Sequence, residues 1–266
     1  MMIRNPSISA NNPPGILKQI APGIVTFFSK RGEVKDSDPY SSFNVCHYTG
    51  DIPEHVSQCR EQLCRYLNIT PERLIIPRQT HSANVAVIDR IPVGNTSIDN
   101  TDAIVTTLPD VAIAINTADC VPILLADITA GIVAAVHSGW KGTVQSIVTK
   151  AINKMQSLGA EAGSTLAIMG PCICGNCFEV GDEVIERFIA NGFLSDDIIL
   201  RHRNKPRMHI DLPQACRQSL IQAGIPQENI SMPLSCSRCN PTDYFSARRL
   251  GISSGRTLSL ILRHGN

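Results

Sequence analysis

The sequence predicts an α+β fold: mixed β-sheets, in the fullest form a central two-sheet sandwich, with helices packed outside in a single domain. Three observations carry this. The runs "DAIVTT", "VAIAINTADCVPILLADI" and "GIVAAVHSGWKGT" follow one another from residue 102 to 143. They are Val-, Ile- and Ala-rich and broken by Pro, Asp or Gly, as adjacent strands of a buried sheet would be. From Thr143 to Leu158, apolar Val144, Ile147, Val148, Ala151, Ile152, Met155 and Leu158 recur at helical spacing, with Gly159 as a stop. Finally, strands and helices alternate too loosely for regular βαβ winding.

In chain order, residues 1–19 contain the polar, proline-rich "NPSISANNPPG" and read as a loosely ordered lead-in to a domain spanning 20–266. "GIVTFFSKRG" reads as a strand ending in a turn. "PEHVSQCREQLCRYLNI" reads as a helix with Val56, Cys59, Leu63, Tyr66 and Leu67 on one side. "RLIIPRQTHSANVAVID" reads as two strands around a polar centre that holds His81. After the helix at 143–158, "TLAIMGPCICGNCFEVG" gives a strand and a Gly/Pro/Cys loop. A helix from Gly181 to Ala190, a strand near "MHIDL", a helix from Pro213 to Ala223 and a strand at "TLSLILR" complete the order.

Composition narrows the function classes. Hydrophobic residues make up 43% and charged residues 18% of the 266, which is globular and sufficient for a large core. A formal net charge of +1, with no block of Lys or Arg, argues against nucleic acid as a partner. No segment has signal-peptide or membrane-span character, so the expected location is the cytoplasm, away from membranes. Ten cysteines in such a chain point to reduced thiols or metal ligands. No motif speaks to oligomeric state.

Three residues combine reactive chemistry with placement at a strand end or polar turn: His81 in "RQTHSANV", Cys120 in "NTADCVP" and His137 in "AAVHSGWKG". Two imidazoles and a thiolate suit Zn²⁺ in a catalytic site, with a fourth position left open. Their separations of 39 and 17 residues match no local zinc motif. Taken singly, each also reads as a hydrogen-bonded turn histidine or a small buried cysteine.

"TADCVPILLAD", "AAVHSGWKGT", "GPCICGNCFEVG" and "CSRCNPTDYFSARR", in this order, resemble the YfiH-type family, first described as laccase-domain or polyphenol oxidase proteins, then as purine nucleoside phosphorylases and peptidoglycan editing factors. The resemblance runs from about Gly23 to Leu262. It implies that His81, Cys120 and His137 bind zinc and take part in catalysis. It further implies phosphorolysis of adenosine, inosine and methylthioadenosine to base and pentose 1-phosphate, with some adenosine deamination. Purine nucleoside and phosphate would then be the small-molecule partners. The family's "RxGGxS" segment corresponds to "KRGEVKDSDPYSSFN", which keeps Arg31 and Asn44 as candidate substrate-binding residues but lacks the paired glycines. The glycine after the first histidine is Ser82 here. Both departures fall in loops expected on the substrate side. "YFSARRL" supplies Arg248 as a candidate anion-facing residue, with a surface or salt-bridged arginine as the plainer reading.

A laccase mechanism needs a blue-copper centre and a histidine-rich copper cluster; seven histidines without an HxH pair argue against it, leaving copper as an adventitious occupant. Asp119 is expected either to orient an imidazole or act as general base, or else to cap the strand end. Trp140 reads as core or as a purine-stacking ring. A rival reading makes Cys120 a nucleophile activated by His81 or His137, in a Cys/His hydrolase or amidase editing peptidoglycan precursors. A third is a non-enzymatic metal- or partner-binding protein. Cys172, Cys174, Cys177, Cys236 and Cys239 would complete a second zinc site if their loops met. Because 59 residues separate Cys177 from Cys236, free thiols or a disulfide is the favoured reading.

Overall fold

A computed structural model describes residues 12–34, 38–92, 98–202, 207–233 and 235–265. The strands are β1 (Gly15–Ala21), β2 (Ile24–Ser29), β3 (Leu74–Ile75), β4 (Val85–Ile88), β5 (Ala103–Thr106), β6 (Ala112–Thr117), β7 (Val121–Asp127), β8 (Ile132–Ser138), β9 (Thr165–Met169), β10 (Ile199–Leu200), β11 (His209–Ile210), β12 (Ile230–Ser231) and β13 (Thr257–Arg263). The helices are α1 (Pro53–Leu67), α2 (Trp140–Val144), α3 (Ile147–Ser157), α4 (Asp182–Ala190), α5 (Ser195–Ile198), α6 (Leu212–Gln222) and α7 (Ala247–Leu250).

Two mixed sheets carry the fold, in strand orders β1-β2-β13-β6-β3 and β12-β9-β7-β8-β5-β4. They stack face to face. Phe28, Ile113, Ile115 and Ile261 of the first sheet share a core with Ile104, Leu124, Ala126, Val133 and Ala135 of the second. Because side chains alternate along a strand, the neighbouring residues point outward. In the first sheet, Ala112, Ala114, Leu258, Leu260 and Leu262 meet Cys59, Leu63 and Leu67 of α1. In the second, Val121, Ile123, Leu125, Ala134 and Val136 meet apolar residues of α3, α4 and α6. The result is a helix–sheet–sheet–helix sandwich. Covering both faces explains why β6, β7 and β8 are buried along their whole length and mostly apolar.

Three sequence expectations change. The lead-in predicted over 1–19 is shorter, because the backbone of Gly15–Ala21 pairs with β2 although most of its side chains stay exposed; residues 1–11 lie outside the described residues. The helix predicted at 143–158 is two helices. α2 leaves β8 directly through Gly139, whereas α3 must lay Ile147, Val148, Ala151 and Ile152 on the second sheet, and Ser146 at φ 63° makes the turn between them. Finally, β6 and β7 are not neighbours: β6 pairs with β13 and β7 with β8, so residues 118–120 cross from one sheet to the other. Among the described residues no helix is long and apolar enough to cross a membrane.

Candidate metal centre

The crossing between β6 and β7 accounts for an acid and a thiol beside an apolar run. A chain moving between sheets has no strand partner there, so its side chains reach the seam of the sandwich. Asp119 takes a left-handed φ of 87°, a conformation that favours Asp, Asn and Gly over most residues. Its carboxylate stabilises the corner by accepting from Ser237 Oγ at 2.7 Å and from the Arg248 backbone N–H at 2.8 Å. Cys120 follows, half-buried, at the mouth of β7.

His81 lies in the connection from β3 to β4, which also passes between the sheets, and His137 lies near the end of β8. The ligand atoms of His81, Cys120 and His137 all fall within 4.8 Å of one another. His81 Nε2 is 3.8 Å from Cys120 Sγ, and the two imidazole rings meet edge to face with centroids 4.9 Å apart. The three residues predicted from sequence therefore converge. Gly139 leaves them room: a Cβ there would sit 2.9 Å from Cys120 Sγ and 3.0 Å from His81 Cδ2.

The acid that orients an imidazole is Asp102, which sequence reasoning missed; Asp119 makes no hydrogen bond to either ring among the described residues. Asp102 is fully buried at the start of β5 and lies 2.7 Å from His137 Nδ1. With Nδ1 engaged, His137 presents Nε2 to the cluster. The backbone N–H groups of Thr80, His81 and Ser82 also point at this carboxylate, at 3.2, 3.0 and 2.7 Å. The left-handed His81, at φ 60°, turns these successive donors into an anion-binding nest. Ser82 Oγ adds a fifth bond at 2.6 Å, so Ser82 supports Asp102 instead of facing substrate.

Burial opposes charge on all three members of this group, and their mutual interactions overcome it. The hydrogen bond and charge of His137, then Ser82, bring Asp102 down to about 2. The charge of Cys120 and the Asp102 bond raise His137 to about 9. The imidazoles of His137 and then His81 bring Cys120 down to about 6. Without a metal, these mutual interactions favour an imidazolium–thiolate pair held by a carboxylate. Two imidazole nitrogens and an ionised sulfur are the donors that zinc takes in catalytic sites, so the residues fit the ion.

Two recesses flank Cys120. The larger, about 390 Å³, is lined by His81, Cys120 and His137 together with Tyr48, Gln79, Asn116, Ala247, Ile252 and Arg256. The smaller, about 250 Å³, is lined by Asp119, Trp140, Lys141, Ile173, Phe178 and Leu212. Trp140 packs against the core, as the first of its expected readings has it, and it also lines this recess. In the larger cleft, Gln79 is fixed by the Asn116 backbone on both sides, at 2.7 and 2.8 Å, and accepts from Tyr48 Oη at 3.2 Å. The Asn116 amide oxygen and nitrogen are buried beside the Tyr48 phenol, with no hydrogen bond of good geometry among the described residues.

The expected substrate-binding residues are placed differently. Arg31 is buried, bonded to Ser41 Oγ and the Pro241 carbonyl and stacked 4.9 Å from the Phe245 ring, so it staples two segments together. Asn44 is fully buried, its Oδ1 accepting from the Arg256 backbone N–H at 3.1 Å. Arg248 lies over the Phe178 ring, 5.2 Å from its centroid, beside the smaller recess. The arginine of the larger cleft is Arg256. "SSGRTLSL" carries no local signal for it beyond a basic residue at a strand start.

The cysteines also differ from expectation. Cys174, Cys177, Cys236 and Cys239 come together, whereas Cys172 stays apart and buried. Sequence separation misled here because the parallel bridge between Cys172 and Cys236 lays the two loops side by side. Among the described residues, these four thiols and the His81–Cys120–His137 group are the two sites where at least three metal-ligating side chains converge.

Residues 25–264 match the family model described as "Multi-copper polyphenol oxidoreductase laccase". The chain belongs to this family. Among its relatives is "Adenosine deaminase RL5" from an unknown prokaryotic organism, 45% identical over 247 residues, covering 91% of this chain and 94% of the relative. A "Purine nucleoside phosphorylase" of Bacteroides thetaiotaomicron is 38% identical over 232 residues, covering 85% and 86%. The crystal structure of YfiH from Bacillus licheniformis superposes with a TM-score of 0.86 at 25% identity, covering 94% of this chain and 97% of that one. The resemblance and the mixed α+β fold expected from sequence are both upheld. The family's multi-copper description finds no histidine-rich cluster in this member among the described residues.

Proposed function

We propose that this protein is a zinc-dependent enzyme of purine nucleosides, phosphorolysing adenosine, inosine and methylthioadenosine and deaminating adenosine as a side activity. The carrying observation is the His81–Cys120–His137 group, fixed by Asp102 and opening onto a cleft of small-molecule size. The names of relatives aligned over most of the chain give the substrate class. His81, Cys120 and His137 would hold the ion, which supplies Lewis-acid chemistry when bound.

The protein's own groups account for the rest. Asp102 keeps His137 in one tautomer and the His81 loop in one conformation. Asn116 lines the cleft wall beside the Tyr48 phenol, and the Gln79–Tyr48 contact stiffens that wall. Burial raises the Tyr48 phenol, so it stays neutral. Arg256 places positive charge on the cleft wall, where phosphate would be oriented toward the anomeric carbon. In phosphorolysis a phosphate oxygen bonds that carbon while the glycosidic C–N bond breaks, its electron pair leaving with the base. In deamination, water adds at the adenine carbon bearing the amino group, and ammonia departs. Arg248 remains the candidate anion-facing residue of the smaller recess. Asp119 serves as the corner brace, in place of an imidazole-orienting acid.

A product assay tests this reading. Zinc-loaded protein with adenosine and phosphate should release adenine and ribose 1-phosphate, with a slower, phosphate-independent stream of inosine. Inosine alone, unchanged by phosphate, would reduce the activity to deamination. No product from any nucleoside would refute the proposal.

One observation favours a second reading: the Cys120 thiol, at about 6 beside two imidazoles, is ionised at neutral pH as a nucleophile requires. A Cys/His hydrolase of peptidoglycan precursors would use that thiolate without metal. Its activity would rise on chelation, whereas the zinc enzyme's would fall.

A further inference from the structure

We propose that Cys174, Cys177, Cys236 and Cys239 bind a second, purely structural zinc ion that ties the corner holding Cys120 to the wall of the catalytic cleft. Four features of the cluster support it. The ligands come as two Cys-x-x-Cys pairs, and each pair is folded on a tight turn: Cys177 N–H donates to the Cys174 carbonyl at 2.9 Å, and Asn240 N–H to that of Cys236 at 3.1 Å. The two turns are laid against each other by the Cys172–Cys236 bridge, with Ser237 N–H donating to the Cys172 carbonyl at 2.9 Å. This pairing sets the sulfurs without a metal to gather them.

Second, all four Sγ atoms lie within 4.8 Å of one another, and those of Cys177 and Cys239 are 3.4 Å apart. A disulfide would need about 2.05 Å. A tetrahedron of Zn–S bonds of about 2.3 Å has edges of about 3.8 Å, so a small adjustment seats the ion. Third, the Cys174 backbone N–H points at Cys236 Sγ at 3.3 Å, a donor that stabilises a thiolate once the four thiols release their protons to solvent. Fourth, a closed set of four sulfurs leaves no position for substrate, which is the signature of a structural site. Three of the cysteines are half-buried and Cys239 is exposed, so an ion can enter.

The position gives the ion something to hold. Both loops grip Asp119: Ile173 N–H donates to its carbonyl at 2.9 Å and Ser237 Oγ to its carboxylate at 2.7 Å. The chain beyond Cys239 carries Arg248, whose N–H also reaches Asp119, and then Ala247, Ile252 and Arg256 of the cleft wall are on the same stretch. A tetrathiolate ion would lock this stretch to the loop of Cys174 and, through Asp119, to the Cys120 corner.

The test measures metal content of the full-length protein purified in the presence of zinc. Wild type should carry two zinc ions per chain; Cys120→Ser should keep one, and Cys177→Ser/Cys239→Ser should also keep one. In Cys120→Ser loaded with cobalt(II), the remaining site should show the intense sulfur-to-metal absorption of four thiolates. The same four thiols should resist a thiol reagent in the native protein and react after chelation. Equal zinc content in wild type and the double variant, a cobalt spectrum without that absorption, or iron in place of zinc at these thiols would each overturn the proposal. The cobalt and thiol measurements need no substitution in the four-cysteine cluster, so they decide the matter even if the double variant does not fold. None of these readouts involves turnover, so they stand or fall apart from the nucleoside reading.

Discussion

Replacing Asp102 by Asn should separate metal affinity from the donor set itself, because the candidate ligands His81, Cys120 and His137 all stay in place. Two carboxylate oxygens receive donors from His137 Nδ1, Ser82 Oγ and the backbone N–H groups of Thr80, His81 and Ser82. An amide offers one oxygen to that crowd and turns its own N–H₂ toward the other donors. Loss of a carboxylate behind a metal-binding imidazole lowers metal affinity by about 10–100-fold, equivalent to about 1.4–2.8 kcal/mol. Breaking a buried charge pair costs about 3–5 kcal/mol of stability, and Asp102 and His137 are such a pair in the metal-free protein. Zinc competition with a chromogenic chelator reads the first quantity and urea unfolding of the chelated protein the second. Asp119→Asn is the contrast: its carboxylate braces Ser237 and Arg248 but touches neither ring, so affinity should fall much less. An Asp102→Asn protein that competes for zinc as well as wild type would refute the assignment of Asp102 as the positioning acid.

Other substitutions probe the remaining contacts. Gly139→Ala pushes a methyl toward Cys120 Sγ and His81 Cδ2, so zinc affinity and turnover should both drop while the fold survives; unaltered zinc binding would show that the crowding is relieved elsewhere. In chelated protein, alkylation of Cys120 should rise with pH through about 6 and then level off, and zinc should protect it; a rise centred near the ordinary thiol range would deny the imidazolium–thiolate pair. Buried Asp127 gives a pH effect on stability. Burial disfavours its charge, but the N–H groups of Ala130 and Glu161 and the Ser164 hydroxyl outweigh this and lower its pKa. A lowered carboxyl contributes stability above its unfolded value of about 3.9 and loses it as pH falls toward the folded value. The unfolding free-energy difference between wild type and Asp127→Asn should therefore be largest near neutrality and shrink on acidification. A difference that grows in acid would reverse the sign of the argument.

The layers of the fold were legible because each depends on local pattern: the uninterrupted apolar runs of β7 and β8, the stripe of α3 and the one-sided α1 state their burial directly. The His81–Cys120–His137 group was legible as reactive residue types at strand ends or in polar turns. Asp102 was not, since "NTDAIV" is an unremarkable strand start and its role exists only because β5 pairs with β8 and sets the carboxylate under His137. Arg256 was hidden for a similar reason: its backbone N–H is held by Asn44 from more than 200 positions away, while the carbonyls of Ile252, Ser254 and Gly255 hold its guanidinium. The break between α2 and α3 turns on one left-handed serine, which no periodicity records. The four-cysteine cluster depends on a single bridge joining distant loops.

Where the chain passes between the two sheets bears on how the molecule responds to load. His81 and Cys120 each ride on such a passage, one from β3 to β4 and the other from β6 to β7, while His137 belongs wholly to the second sheet. An ion held by all three would be a rivet through the join, so sliding one sheet over the other would have to stretch its bonds. Heat and mechanical shear should accordingly find the loaded sandwich yielding as one body and the emptied one parting first along that line.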